Sequence, residues 1–274
     1  MTRIAFIGGG NMARSLIGGV LKHGGHAGSI SVAEPRAYSC QELAREFGVA
    51  TYPQNVLAAE GADVLVLAVK PQVMPAVCKE LKHVVARSRP LVVSIAAGIR
   101  IAQIERWLGG PQAVVRCMPN TPALIGAGAT GLYANGWVGP PQRALAQHLL
   151  DSAGLTTWVP QEEDLDVVTA ISGSGPAYFF LLAEALEAAG VAQGLSPETA
   201  RALAAQTALG AGRMLTEGSE PAATLRERVT SPNGTTQAAL ESFAMDHFNL
   251  IVERAVDAAT RRAEALSAAM DAQS

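Results

Sequence analysis

The sequence predicts an α/β chain in two parts: an N-terminal doubly wound, mostly parallel sheet over residues 1–160 and a C-terminal all-α domain over residues 161–274. Three observations carry this. Short β-branched runs alternate with helical patterns through the first part. The central run, Val64-Leu-Val-Leu-Ala-Val69, is apolar without alternation, so its strand must be covered on both faces, the condition of a parallel sheet with helices above and below. After Pro160 the strands cease and Ala and Leu dominate. The length of 274 residues is also about twice the ~100–150 of a common single domain.

Taken in order, strands are expected at Arg3 to Ile7, Ile30 to Ala33, Val64 to Val69, Leu91 to Ile95 and Ala113 to Cys117. A loop rich in Pro and Gly leads to another at Gly128 to Ala134, Pro140-Pro141 opens a helix, and Thr156 to Val159 closes the sheet. Beyond it, Ser196-Pro197-Glu198 joins an N-cap, an N1 proline and an early acid at one helix start. The segment Ala177-Tyr-Phe-Phe-Leu-Leu-Ala-Glu-Ala-Leu186 is apolar around nearly its whole circumference and is expected to be buried on all sides, which so small a helical domain achieves only with a second subunit.

Composition narrows the function. With 49% hydrophobic and 16% charged residues, the chain is neither disordered nor collagen-like, and so little charge points to an oligomer. Its net charge of −3 divides unevenly: residues 1–160 carry 14 Lys or Arg against 8 Asp or Glu, and residues 161–274 carry 7 against 16. The basic half suits a phosphate-bearing small ligand, while the lack of a dense Lys/Arg block with interleaved aromatics argues against nucleic acid. Cys40, Cys78 and Cys117 stand at spacings that fit neither a disulfide framework nor a zinc site, so reduced thiols and no metal are expected. No stretch is expected to approach the ~18 apolar residues of a membrane span, and a cytoplasmic location follows as an expectation.

The chemistry-bearing motifs sit in loops. Gly8-Gly9-Gly10-Asn11-Met12-Ala13 follows the first strand and opens the first helix: Gly8 permits the tight turn, Gly10 lets the backbone approach a pyrophosphate, and Ala13 allows close helix packing, as in a Rossmann-type dinucleotide site. At the end of the second strand, Glu34 favours the free ribose diol of NAD and Arg36 the 2′-phosphate of NADP, leaving NADPH or NADH as the cofactor. Lys70-Pro71-Gln72 leaves the central strand at the edge where ligands of open α/β sheets bind. Met118-Pro119-Asn120-Thr121-Pro122-Ala123 forms a rigid wall, and Ser172-Gly173-Ser174-Gly175-Pro176 precedes a helix. Ser231-Pro232-Asn233-Gly234-Thr235-Thr236, before a helix expected from Gln237 to Phe243, offers N–H groups and hydroxyls to a carboxylate, or else an ordinary Ser/Thr cap.

Six segments, Phe6-Ile-Gly-Gly-Gly-Asn-Met12, Ala68-Val-Lys-Pro71, Ser94-Ile-Ala-Ala-Gly98, Met118-Pro-Asn-Thr-Pro-Ala123, Ser172-Gly-Ser-Gly-Pro-Ala-Tyr178 and Val229-Thr-Ser-Pro-Asn-Gly-Thr-Thr236, together resemble pyrroline-5-carboxylate reductase, in that order and across nearly the whole chain. The resemblance implies reduction of L-1-pyrroline-5-carboxylate to L-proline by NADPH or NADH. It places Ile7, Gly8, Gly9, Gly10, Asn11, Met12, Ala33, Glu34, Pro35, Arg36, Asn55, Ala68, Val69, Lys70, Pro71 and Ala96 at the cofactor. It places Ser231, Gly234, Thr235 and Thr236 at the substrate, with Glu162 nearby and Thr236 as the catalytic residue. It further implies a homodimer through the helical domain, assembling into a larger ring such as a decamer. Asn233 departs from the family pattern where Gly is common, and Glu34 where small or polar residues occur.

Two other readings compete. A β-hydroxyacid dehydrogenase would need a helical-domain lysine as proton donor, and the only lysines are Lys22, Lys70, Lys79 and Lys82, all in the first part. A cofactor-binding regulator without catalysis is opposed by the intact Ser231 to Thr236 segment.

Overall fold

The computed structural model describes residues 1–272. By contact, the chain divides into two compact units, one comprising residues 1–174 together with the chain from Ala259 onward, the other Gly175–Ala258.

The first unit is built on eight strands: β1 (Ile4–Ile7), β2 (Ile30–Ala33), β3 (Ala50–Tyr52), β4 (Val64–Leu67), β5 (Leu91–Ser94), β6 (Val114–Met118), β7 (Gly128–Ala134) and β8 (Gly154–Trp158). Their order is β3-β2-β1-β4-β5-β6-β7-β8, parallel throughout except for the antiparallel β6–β7 pair. The mostly parallel sheet is therefore as expected. Strand β3 was not foreseen: three residues squeezed between the left-handed Gly48 and Pro53 carry too short a pattern to register as a strand, and β3 pairs only with β2 at the sheet edge.

Helices α1 (Asn11–Lys22), α2 (Ala37–Phe47), α3 (Asn55–Ala59), α4 (Met74–Ser88), α5 (Ile101–Leu108) and α6 (Pro140–Asp151) cover both faces. The strand pleat explains how one apolar run serves two cores. Ile4 and Phe6, with Val64 and Val66, face Leu16 and Ile17 of α1, Leu43 of α2 and Leu149 of α6. Ala5 and Ile7, with Leu65 and Leu67, face Met74, Cys78 and Leu81 of α4 and Ile104 and Trp107 of α5. Each such large side chain contributes about 1.5–3 kcal/mol by its burial.

Two further segments that lie beyond the expected break after residue 160 pack with this unit. Helix α7 (Asp164–Val168) and the π-helical turn Thr169–Gly173 pack on the sheet, with Leu165, Asp166 and Ala170 buried. Near the C-terminus, Ala263 and Ser267 are buried and Met270 packs beside the α4–α5 core, and a Cβ added at Gly98 would lie 3.6 Å from Leu266 Cβ. An abrupt change of composition marks where strands end; it does not mark which core a helix joins.

The second unit holds α8 (Gly175–Ala192), α9 (Pro197–Glu217), α10 (Ala222–Arg228), α11 (Thr235–Met245) and the first part of α12 (Phe248–Ala272). As expected, Ser196 caps α9, its hydroxyl accepting the Thr199 N–H at 3.2 Å, with Pro197 at N1. The expected burial of α8 is not met within one chain: Phe179, Phe180 and Leu181 are each about two-thirds exposed. Only Gly175, Ala200 and Ala204 are buried in this unit. Five helices whose contact is chiefly α8 against α9 lack the surface to close a core.

The helical run Asp164–Ala192, continuous through the π turn, is long and apolar enough to cross a membrane by length and composition, with a mean hydropathy of 1.3 over its most apolar window. This corrects the expectation that no stretch would approach that threshold. Ser174 is a bend between the π turn and α8, and the apolar length adds up across it.

Candidate active site

The first site lies where the sheet order reverses, between β1 and its neighbours β2 and β4. Register brings these strand ends level: Ile7 lies opposite Ala33 and Leu67, and Leu67 opposite Ser94. The loops that follow therefore emerge together, gathering Gly8–Met12, Glu34–Arg36, Ala68–Pro71 and Ala96 at one edge. Asn55 opens α3, its amide donating to Glu80 at 2.7 Å. Lys70 is exposed at the start of the following 3-10 turn and its side chain does not cap it.

Each glycine of the loop has its own reason. Gly8 turns at φ +102°, and a Cβ there would lie 2.5 Å from the Ala68 carbonyl oxygen. At Gly9 a Cβ would strike Leu43. Gly10, the N-cap of α1, has no atom within 4 Å of where its Cβ would be and supplies no side chain to cap the helix. Its exposed N-terminus thus presents open space and uncapped N–H groups to an anion, which fits a dinucleotide pyrophosphate.

Glu34 is buried beside this loop. Its Oε2 accepts the Gly9 N–H at 3.4 Å, and its Oε1 accepts Arg36 Nε at 2.7 Å and Arg36 N–H at 3.3 Å. Burial pushes the carboxyl upward in pKa, but the Arg36 hydrogen bonds and charge outweigh it with help from Gly9, holding the group below the ordinary carboxylate value. Sequence left open which of Glu34 and Arg36 faces inward; Glu34 does, and the Arg36 side chain lies exposed over it.

Glu162 is committed elsewhere in the same unit. Its Oε1 accepts the Ile101 N–H at 2.8 Å, at the start of α5, and pairs with Arg116 at 3.2 Å. Asp166 takes Arg100 at 2.6 Å and faces Arg116 at 3.8 Å. Burial lowers the pKa of Arg116 against the opposing pull of Glu162 and Asp166. This network was missed from sequence, although an arginine inside the apolar run Ala113 to Cys117 was its signal. Asn120, within the rigid wall, accepts the Ala129 N–H at 2.9 Å and donates to the Ser172 carbonyl at 3.0 Å, tying β7 to the π-helical turn. π turns recur at functional positions.

The second site lies in the helical unit. Helix α11 begins at Thr235, two residues earlier than expected, with Gly234 as its N-cap and no side-chain cap. Ser231 does not cap it; the Ser231 carbonyl accepts the Gly234 N–H at 3.0 Å. Asn233 adopts φ +58° and donates its N–H to Gln237 Oε1 at 2.8 Å. The ordinary Ser/Thr cap is thereby excluded, and the first-turn N–H groups with the Thr235 and Thr236 hydroxyls stand at an accessible helix start. Ser231, Gly234, Thr235 and Thr236 are thus brought together, while Glu162 belongs to the other unit.

A doubly wound sheet with a glycine loop at its switch point and an acid at the end of β2, followed by a helical unit, defines a nicotinamide-dinucleotide oxidoreductase. Comparison with known proteins narrows this. Residues 3–98 match the family model described as NADP oxidoreductase coenzyme F420-dependent, and residues 162–266 that of pyrroline-5-carboxylate reductase dimerisation. A pyrroline-5-carboxylate reductase of Pseudomonas aeruginosa is 51% identical over 265 residues, 97% of each chain. The solved structure of a pyrroline-5-carboxylate reductase from Coxiella burnetii superposes with a TM-score of 0.94 at 42% identity, covering 97% of this chain and 98% of that one. A Plasmodium falciparum pyrroline carboxylate reductase with NADP bound gives 0.83 at 30% identity, with the same coverage. The chain belongs to the pyrroline-5-carboxylate reductase family.

Proposed function

We infer that this protein reduces L-1-pyrroline-5-carboxylate to L-proline with NADPH or NADH. The observation that carries this, in a chain of this family, is the start of α11, which has no side-chain cap and whose free N–H groups and neighbouring hydroxyls suit a carboxylate. A reduced nicotinamide, when bound, supplies hydride to the imine carbon. Gly8, Gly10 and the start of α1 hold its pyrophosphate, and Glu34 meets its adenine ribose.

The helix start of α11 holds the substrate carboxylate and so fixes the ring. The Thr236 hydroxyl accepts a hydrogen bond from the protonated ring nitrogen, keeping the imine in its electrophilic form; orientation, with no metal or covalent nucleophile, accounts for most of the task. Glu162, paired with Arg116 and holding the start of α5, is a structural residue of the sheet unit in this reading. In solution the helical units pair, which would cover the exposed face of α8, and dimers join into a ring such as a decamer in the cytoplasm. The α8 part of the membrane-length run, Gly175–Ala192, is the surface that pairing would cover.

The direct test follows the loss of reduced-nicotinamide absorbance when purified protein meets pyrroline-5-carboxylate, with proline identified as product. Turnover supports the reading. Folded protein that binds the nucleotide yet forms no proline would refute it.

A further inference from the structure

We propose that Glu34 sets the choice of nicotinamide: its carboxylate accepts the hydroxyls of the adenine ribose and repels a 2′-phosphate, so that the chain prefers NADH to NADPH. This rests on the reductase reading of the glycine-loop site. Glu34 follows directly on β2, the position from which a dinucleotide fold reaches the ribose, and its side chain is only 6% exposed. Three donors hold it: the N–H groups of Gly9 and Arg36 and the Arg36 guanidinium. Two of these are backbone, so the carboxylate keeps its place when the guanidinium turns away.

Arg36 is the residue that would otherwise receive a 2′-phosphate. Its side chain is 71% exposed, and where it stands its charge is matched by Glu34 at 2.7 Å, so no net positive charge remains at the end of β2. Because the Glu34 carboxyl is held below its ordinary pKa, it is ionised at neutral pH. A dianionic phosphate would find no unmatched positive charge here and would compete with the Glu34 carboxylate for Arg36, whereas a ribose diol donates hydrogen bonds to that carboxylate. The acid thus discriminates twice, by attraction of one nucleotide and repulsion of the other.

The test is calorimetric titration of NADH and NADPH into the whole protein and into Glu34→Gln and Glu34→Ser, with thermal melts to show folding and pyrroline-5-carboxylate turnover in parallel. Wild type is expected to bind NADH about tenfold or more tightly than NADPH, and each variant to lose at least about tenfold of that ratio, chiefly by tighter NADPH binding. Equal or tighter binding of NADPH by wild type overturns the proposal, as does an unchanged ratio in both folded variants. Turnover with NADPH preferred would sink only the role of Glu34; failure to bind either nucleotide would sink the reductase reading with it.

Discussion

Glycines 8 and 10 look alike in sequence, yet the structure gives them opposite tolerances. Gly8→Ala would push a Cβ to 2.5 Å from the Ala68 carbonyl at a left-handed φ, at a cost of roughly 1–3 kcal/mol, and should lower the melting temperature. Gly10 has an ordinary φ of −73° and open space around it, so Gly10→Ala should melt like wild type while weakening nicotinamide binding by about tenfold or more, read by calorimetry. At the other site, Thr236→Ala should keep its fold and lose about ten- to hundredfold in kcat, the scale of one hydrogen bond to a charged group; unchanged kinetics would remove Thr236 from the chemistry. Glu34 also carries a pH signature. Its folded pKa lies below the ordinary 4.5, so its stabilisation is complete above about that pH and is lost as pH falls through the lowered value. Acid unfolding of Glu34→Gln should therefore show a shallower loss of stability below pH 4.5 than wild type.

At the scale of elements, the most consequential finding is what holds α5 and α7 to the sheet. Arg116 of β6 is buried, and its compensation comes from Glu162 and Asp166 on either side of the start of α7. Asp166→Ala breaks the short Arg100 pair and leaves Arg116 only Glu162, so it should cost about 1–3 kcal/mol in urea unfolding; a loss below about 1 kcal/mol would show the network to be dispensable. The elements themselves were largely legible: β1, β2, β4, β5, β6 and β7 fall within a residue or two of their expected spans, because buried parallel strands are continuous apolar runs. The edge strand β3 was not, because three half-exposed residues have no period to read. The start of α11 was legible as a motif, but whether Ser231 capped it was not, since capping is decided by a backbone turn and Asn233 takes the left-handed conformation there.

For the whole molecule, the helical unit has almost no interior of its own, while exposing Phe179, Phe180, Leu181, Leu203 and Leu209. Such a surface on a family whose helical region is described as a dimerisation domain should bring two chains together. Sedimentation is expected to find a dimer or a multiple of it, and Phe180→Glu to shift the population toward monomer with loss of thermal stability. A stable, active wild-type monomer would contradict this. The low charge content had pointed to an oligomer already; which surface serves it emerged only when α8 was seen uncovered.

By itself the sequence determined the order of every strand but β3, the glycine loop, the segment at the start of α11 and the family, because periodicity and turn chemistry are local and six motifs in register are specific. Tertiary structure decided what depends on residues distant in the chain. It turned Glu34 inward beneath Arg36, set Glu162 against Arg116 across 46 positions, and returned the end of α12 to the sheet unit after the helical one. Burial, not pattern, makes those choices: a carboxylate's partner is whichever donor the fold brings within reach once water is excluded.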